Sequence, residues 1–278
     1  KAIQEVYQER GELCDIVDAL QFISPHASRF ISNWHTRIYR YAPKLFKAGY
    51  ADVEQHESIF REGTTVYKYL TSGVDRMREY LESGSYDNII CTHVFPALAV
   101  TELLRRYPLR LQTSFVSTDY TCSPCAADSN LDFYFIPSPL LTEEFAGCGV
   151  AREKLVPSGL PAAQAFYHPM KRALGIAPEK QHLLMMCGSM GCGPICELAE
   201  LLAPMLREDQ LLSIVCGTNS DLFEKLEKRF AGQENVRVLG LVTNMPVMMQ
   251  GSDLLLTKPG GLSTTEAAAS GLPMVLID

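Results

Sequence analysis

Short, continuously apolar segments alternate with helix-like segments along most of the chain. In the second half, five such segments predict strands, at residues 182–187, 211–216, 236–239, 253–257 and 274–277. Helical patterns lie between them, at residues 195–206, 221–230, 245–250 and 264–269. Apolar strands that alternate with helices predict a parallel sheet covered on both faces. Because parallel crossovers are right-handed, this half is expected to be Rossmann-like.

The first half shows the same alternation with shorter segments. Strands are predicted at residues 13–17, 87–91, 111–117, 133–136 and 155–157, and helices at residues 1–10 and 97–107. Turn residues at 159–161 interrupt the pattern before a helix expected to begin at His168. We therefore predict an α/β protein with two Rossmann-like domains, 1–161 and 162–278, whose parallel sheets face a cleft.

Both ends of the pattern are abrupt. The opening helix leads into what reads as the second strand of an α/β domain, and residues 273–278 read as a strand with nothing after it. We expect that the chain is cut from a longer protein and that the first strand of its N-terminal domain is absent.

Composition excludes several classes of protein. Apolar residues make up 47% of the 278 residues and charged residues 21%, which excludes a disordered chain. The net charge of −7 disfavours binding to nucleic acid. No apolar run approaches the roughly 20 residues of a membrane-spanning helix.

The nine cysteines favour a reduced, cytoplasmic setting, because their number is odd and no secretory signal opens the chain. Cys122 and Cys125 have the spacing of a redox pair or half a zinc site. No second Cys pair or His pair completes a zinc set, so we predict no metal. A loop with two thiols is the simpler interpretation.

The most informative segment is residues 257–266, which follows one predicted strand and opens a helix. Gly260 and Gly261 let the backbone approach a ligand closely, and free N–H groups at a helix start attract anions. Hydroxyls at Ser263, Thr264 and Thr265 suit a diphosphate, and Glu266 suits the vicinal hydroxyls of a ribose. A capping box between Ser263 and Glu266 explains the same residues equally well.

A second glycine-rich loop covers residues 188–193. Its spacing matches neither a dinucleotide fingerprint nor a P-loop. A plain strand-to-helix turn is the favoured interpretation, and a phosphate cradle is the alternative.

His93 and Asp119 directly follow predicted strands, at the carboxyl ends where α/β sites form. Either side chain is chemically able to remove a proton from an acceptor hydroxyl. Capping of the next helix or turn is the competing explanation for both residues.

Residues 26–50 combine basic and aromatic side chains without any acidic residue. This mixture is typical of contact with an anionic membrane, and an ordinary helix with solvated basic residues explains it equally well. RNA binding is a weaker third interpretation. The candidate membrane or acceptor residues are Arg29, Trp34, Arg37, Arg40, Lys44 and Lys47.

These motifs together resemble glycosyltransferase family 28, in particular its monogalactosyldiacylglycerol synthases and processive diacylglycerol glucosyltransferases. The resemblance is carried by residues 88–96, 117–120, 155–161 and, most specifically, 257–268. It implies a GT-B fold and inverting transfer of a hexose from UDP-hexose, glucose or galactose, to diacylglycerol. It also implies a peripheral enzyme at the inner face of the cell membrane, with UDP-sugar as substrate and no cofactor.

The resemblance also assigns roles to residues. It implies donor contacts from Gly188, Ser189, Gly191, Leu241, Val242, Pro259, Gly260, Gly261, Ser263, Thr264 and Glu266, with His93 and Asp119 as catalytic candidates. Two family features, a histidine in an initial glycine-rich loop and a final donor-sugar motif, fall outside the chain. A third, a histidine and tryptophan after Asp119, is replaced by Cys122-Ser-Pro-Cys125.

Those departures leave alternatives to a diacylglycerol hexosyltransferase. The same scaffold serves a peptidoglycan-precursor N-acetylglucosaminyltransferase or a UDP-sugar epimerase. The chain as it stands is alternatively a UDP-binding fragment without turnover.

Overall fold

The computed structural model describes residues 1–26, 28, 60–123, 125–167, 176 and 179–277. They form two compact units: an N-terminal unit, Asp15–Leu160, and a C-terminal unit, Lys1–Cys14 together with Pro161–Asp278. The division falls beside the expected boundary. The first 14 residues belong to the C-terminal unit, however, and not to the N-terminal domain to which we assigned them. They are joined to it by a hydrogen bond from Gln164 Nε2 to Glu9 Oε2 (2.9 Å).

The N-terminal unit holds a parallel sheet in the order β1-β2-β3-β4. Its strands are β1 (Asn88–Cys91), β2 (Gln112–Val116), β3 (Phe133–Ile136) and β4 (Leu155–Pro157). Its described helices are α2 (Leu20–Ile23), α3 (Thr65–Leu70), α4 (Val74–Ser83), α5 (Val94–Arg106) and α6 (Thr142–Gly147). Apolar residues of α4, α5 and α6 share one core with the sheet.

The C-terminal unit holds a second parallel sheet, in the order β7-β6-β5-β8-β9. Its strands are β5 (Gln181–Met186), β6 (Gln210–Val215), β7 (Val236–Leu239), β8 (Leu254–Thr257) and β9 (Met274–Leu276). Its helices are α1 (Ala2–Glu9), α7 (Ile195–Leu202), α8 (Ser220–Arg229), α9 (Met245–Gln250) and α10 (Gly261–Ala269).

Strand β5 shows why the strands of this sheet have continuously apolar sequences. Leu184 and Met186 pack into a core with α9 and α10, whereas Met185 and Cys187 pack into a second core with α7 and α8. Successive side chains of a strand point to opposite faces. Burial on both faces therefore requires an apolar residue at nearly every position, as the sequence predicted.

The predicted strand at 13–17 is wrong, and helices α5 and α10 each begin three residues before their predicted starts. Residues 13–17 form no strand, and Leu13 and Ile16 are 74% and 61% exposed. Apolar side chains favour a strand only where a neighbouring strand supplies backbone partners, and no described strand pairs with this segment. Helix α10 begins at Gly261 and not at Thr264, because Gly260 takes the extended backbone conformation of an N-cap. The helix expected at His168 lies outside the described residues.

Candidate functional site

The strand order of the C-terminal unit defines where a ligand site forms. From β5 the chain proceeds to β6 and β7 on one side, and then crosses to β8 and β9 on the other. Open α/β sheets bind ligands beyond the carboxyl ends of their strands at such a reversal. The loops that follow β5 and β8 meet at this point. A Cβ atom added to Gly188 would lie 3.7 Å from Cε of Lys258.

Helix α10 begins at this reversal without a side-chain cap. The first backbone N–H groups of any helix lack intrahelical acceptors, so the start of α10 offers donors to an anion. The Thr264 hydroxyl donates to the Gly260 carbonyl (2.9 Å) and the Thr265 hydroxyl to that of Gly261 (2.7 Å). Ser263 makes no side-chain hydrogen bond within the described part of the chain. Ser263 is therefore better placed than Thr264 to donate a hydroxyl to a diphosphate.

Glu266 does not close a capping box. Ser263 lies inside α10, so it is not the N-cap, and the Glu266 carboxylate makes no hydrogen bond or ion pair with any described residue. The side chain is half-buried, and this burial raises the pKa of its carboxyl group. The capping interpretation is therefore wrong, and the carboxylate remains available to a ligand.

Thr257, at the end of β8, was not predicted as a site residue. It is fully buried, and its hydroxyl has no hydrogen-bond partner among the residues described. Buried hydroxyl groups in proteins usually have a hydrogen-bond partner, so Thr257 joins the candidate site at the end of β8. An apolar pattern cannot reveal such an atom, because threonine suits a buried strand in any case.

The glycine-rich loop after β5 is explained largely by packing. Gly191 has φ +57°, and a Cβ atom there would overlap the carbonyl oxygen of Cys216, which follows β6. Asn219 joins the two loops, because its Nδ2 donates to the Gly191 carbonyl (2.9 Å) while its Oδ1 accepts from Leu222 N at the start of α8. The sequence analysis missed Asn219, although an asparagine just before a helical pattern is a recognised N-cap signal. Ser189 and Gly193 are the exposed residues of this loop.

The remaining predicted donor residues lie at the same edge of the sheet. Pro259 is exposed directly after β8. Leu241 is 63% exposed beyond the end of β7, and Val242 is half-buried against the core that contains α9. Strand β7 lies two strands from β5, on the side away from β8. Leu241 and Val242 therefore suit the part of a nucleotide that is farthest from a diphosphate held at α10.

The two catalytic candidates follow adjacent strands of the N-terminal unit, β1 and β2. His93 is the N-cap of α5, and its Nδ1 accepts a hydrogen bond from Phe95 N (3.2 Å). A neutral ring in this position carries its proton on Nε2, so neither nitrogen is available as a base without breaking the cap. Asp119 is exposed, and its carboxylate has no partner among the described residues. Of the two, Asp119 is therefore better placed to accept a proton.

A cavity of about 170 Å³ lies beside β1 in the N-terminal unit. Apolar side chains such as Phe22, Met77 and Val100 line it, together with the polar groups of Asp15 and Tyr80. Neither His93 nor Asp119 lines this cavity.

The predicted membrane or acceptor residues, Arg29 to Lys47, lie outside the described residues. No cluster of metal-ligating side chains occurs among the residues described.

Comparison with known proteins places these features in a family. Two parallel sheets covered by helices form an α/β protein of the GT-B class, as predicted. Residues 1–162 match the monogalactosyldiacylglycerol (MGDG) synthase family, and residues 182–277 match the glycosyltransferase family 28 C-terminal domain. The chain belongs to the monogalactosyldiacylglycerol synthase family.

Two curated relatives are processive diacylglycerol β-glucosyltransferases. The protein of Staphylococcus saprophyticus is 26% identical over 91% of this chain and 64% of its own length. That of Bacillus subtilis is 29% identical over 75% of this chain and 55% of its own length. The chain thus matches less than two thirds of the length of either relative.

A solved structure supports the fold. The Staphylococcus aureus MnaA–UDP co-structure superimposes with a TM-score of 0.57 over 77% of this chain and 64% of its own, at 12% identity. At that identity the likeness concerns the fold alone.

Within the described part of the chain, no helix is long and apolar enough to cross a membrane.

Proposed function

We propose that the protein is an inverting glycosyltransferase that moves a hexose from UDP-hexose to diacylglycerol at a membrane surface. One observation carries the proposal: the half-buried carboxylate of Glu266, which no described residue bonds, lies one turn into a helix that begins at the reversal point of a parallel sheet. Family membership and the names of the relatives support diacylglycerol as acceptor.

In the proposed complex, the start of α10 holds the diphosphate. Backbone N–H groups at Gly261 and beyond, together with the Ser263 hydroxyl, donate to its oxygens. Glu266 accepts hydrogen bonds from the two ribose hydroxyls. The uracil lies toward Leu241, and Gly188 and Ser189 border the donor on the other side. The same helix start stabilises the charge that develops on UDP as it leaves.

In the proposed reaction, the acceptor hydroxyl oxygen attacks the anomeric carbon from the face opposite UDP. The bond from that carbon to the diphosphate oxygen breaks, the configuration inverts and UDP leaves with the electron pair. Asp119 takes the hydroxyl proton. Asp119 is preferred to His93 because its carboxylate is exposed and bonds none of the described residues, whereas the His93 ring caps α5.

Donor binding is tested by calorimetric titration of UDP into this 278-residue chain and its variants. Glu266→Ala is expected to weaken binding about tenfold, the loss of roughly 1.4 kcal/mol expected from charge-assisted hydrogen bonds. Glu224→Ala, which removes an exposed glutamate from α8, is the matched control and should leave the affinity unchanged. Unchanged UDP affinity in Glu266→Ala would contradict the proposed donor site.

Transfer is tested with protein expressed from the complete reading frame. Liposomes containing diacylglycerol are incubated with labelled UDP-glucose or UDP-galactose, and labelled glycolipid is measured by chromatography. The donor that is consumed identifies the sugar. Absence of glycolipid with both donors, or conversion of a UDP-sugar without lipid, would contradict the proposed reaction even if UDP binds.

A further inference from the structure

In the function proposed above, the loop after β5, residues 188–193, borders the donor. Glycines occupy three of its six positions, and glycine loses more conformational freedom on ordering than any other residue. The sequence of the loop therefore does little to hold it in one conformation. Contacts from outside the loop must fix it beside the donor.

The loop after β6, residues 216–219, supplies such contacts. Thr218 N donates to the Ser189 carbonyl (2.9 Å), and the Thr218 hydroxyl donates to the same oxygen (3.3 Å). A Cβ atom on Gly217 would overlap that oxygen, just as one on Gly191 would overlap the carbonyl oxygen of Cys216. Each loop therefore packs its backbone directly against the backbone of the other.

Asn219 is the side chain that joins the two loops, and it uses both ends of its amide. Nδ2 donates to the Gly191 carbonyl (2.9 Å), while Oδ1 accepts from Leu222 N (3.2 Å) as the N-cap of α8. Aspartate and serine cap helices as well as asparagine does. Neither of them carries a separate N–H donor for the Gly191 carbonyl. The cap alone therefore does not require asparagine, whereas the bond to Gly191 does.

The hydrogen bond from Asn219 is connected to the donor site through the loop after β5. Gly191 N donates to the Gly188 carbonyl (3.3 Å), so the residue that Asn219 holds is bonded to the residue at the reversal point. Gly188 in turn lies against the side chain of Lys258, in the turn that leads into α10. A displacement at Gly191 would thus reach the wall of the proposed diphosphate site.

We propose that Asn219 is a positioning residue of the donor site, a role that rests on the function proposed above. Asn219 acts through the Gly191 carbonyl and holds the loop after β5 where Gly188 and Ser189 border UDP-hexose. A wall that is ordered before the donor arrives adds no ordering cost to binding. Without the Asn219 bond, the donor must order the loop, and its affinity falls.

Two variants separate this bond from the helix cap. Asn219→Asp keeps the shape of the side chain, Asn219→Ser is neutral, and both keep a cap oxygen but lose the amide donor. Each should bind UDP about fivefold more weakly in calorimetric titration, which corresponds to the loss of one hydrogen bond. Ser220→Ala, at the exposed next residue, is the control and should leave the affinity unchanged.

Asn219→Ala loses the cap as well as the bond to Gly191. It should therefore be the least stable of the three variants in urea denaturation, yet bind UDP no more weakly than Asn219→Ser. A purely structural role predicts the opposite pattern, in which UDP affinity falls with stability and Asn219→Ser binds like the wild-type chain.

Hydrogen exchange without nucleotide supplies a readout that is independent of the proposed function. The Thr218 amide, which is bonded to Ser189, should exchange several-fold faster in Asn219→Asp and Asn219→Ser. The Gln181 amide is bonded to the Asp209 carbonyl (2.8 Å) at the other end of β5 and β6. It should exchange at the wild-type rate.

Three outcomes would overturn the role of Asn219 while leaving the donor site intact. They are wild-type exchange at Thr218, wild-type UDP affinity in Asn219→Ser, and weaker binding in Asn219→Asp alone, which its new negative charge would explain. A wild-type chain that binds no UDP would instead overturn the donor site itself, and the role of Asn219 with it.

Discussion

The described strands of the two units form parallel sheets of similar size, but among these strands only those of the C-terminal unit reverse their order. In the C-terminal unit the order turns back at β5 and β8, and the loops after these two strands meet beside the start of α10. In the N-terminal unit the four described strands follow one another in sequence order, without a reversal. Topology alone therefore locates a ligand site in the C-terminal unit, whereas the site residues of the N-terminal unit must be argued one by one.

The polar groups of the two units differ accordingly. In the C-terminal unit, the Glu266 carboxylate and the Thr257 hydroxyl have no partner among the described residues, and both lie beside a helix start that offers backbone donors. In the N-terminal unit, His93 is engaged as a cap and Asp119 is exposed. A site built from backbone and packing is preorganised before its ligand arrives, whereas an exposed carboxylate relies on the ligand and its surroundings for position.

The strongest test of preorganisation is Gly191→Ala. The left-handed backbone and the overlap with the Cys216 carbonyl should together lower the free energy of unfolding by about 3 kcal/mol. Gly232→Ala is the matched control: its φ is +81°, but the space around it is open, so the cost should be about 1 kcal/mol. Urea denaturation of both variants measures the difference. Equal losses would show that the two loops are not rigidly packed together.

A buried histidine is expected to make the C-terminal sheet sensitive to acid. His182 hydrogen-bonds Ser213 Oγ through Nε2 (2.7 Å) and Ser252 Oγ through Nδ1 (2.9 Å), and burial lowers its pKa below the usual 6.5. The unfolded chain therefore binds more protons below pH 6.5. The contribution of the neutral His182 ring to the free energy of unfolding is complete above that pH. It is lost as the pH falls toward the pKa of His182 in the folded state.

The corresponding variant is His182→Ala, which leaves both serine hydroxyls without this partner. It should cost about 2 kcal/mol at pH 7.5 and should flatten the dependence of stability on pH between 5 and 7. Thermal unfolding across that range measures both effects. If the variant keeps the slope of the wild-type chain, the acid sensitivity arises at another group.

The smallest expected effect separates the two candidates of the N-terminal unit. His93→Ala removes the cap of α5 and should destabilise by about 1 kcal/mol, with His93→Asn restoring most of the loss. Asp119→Asn should change stability by less than about 0.5 kcal/mol, because the carboxylate has no described partner. Chemical denaturation measures all three variants. A large loss of stability in Asp119→Asn would mean that Asp119 has a structural role.

Most of the architecture could be predicted from the pattern of apolar residues. Strands β3, β4 and β7 have the predicted bounds, and the other described strands differ from prediction by one residue at one end or at both. The predicted strand at 13–17 failed because strand formation depends on a neighbour, which the local pattern does not specify. The two interpretations of residues 263–266 could not be separated by sequence, since both use the same residue types at the same spacing.

The sequence by itself determined that the chain builds parallel sheets covered on both faces, because continuous apolar runs between helices have few other ways to be buried. It also determined that glycines and a carboxylate follow β8. Only the tertiary structure decided that β8 lies beside β5, that Gly191 packs against the Cys216 carbonyl and that no described residue bonds the Glu266 carboxylate. Each of these depends on contacts between residues far apart in the chain, which no local pattern encodes.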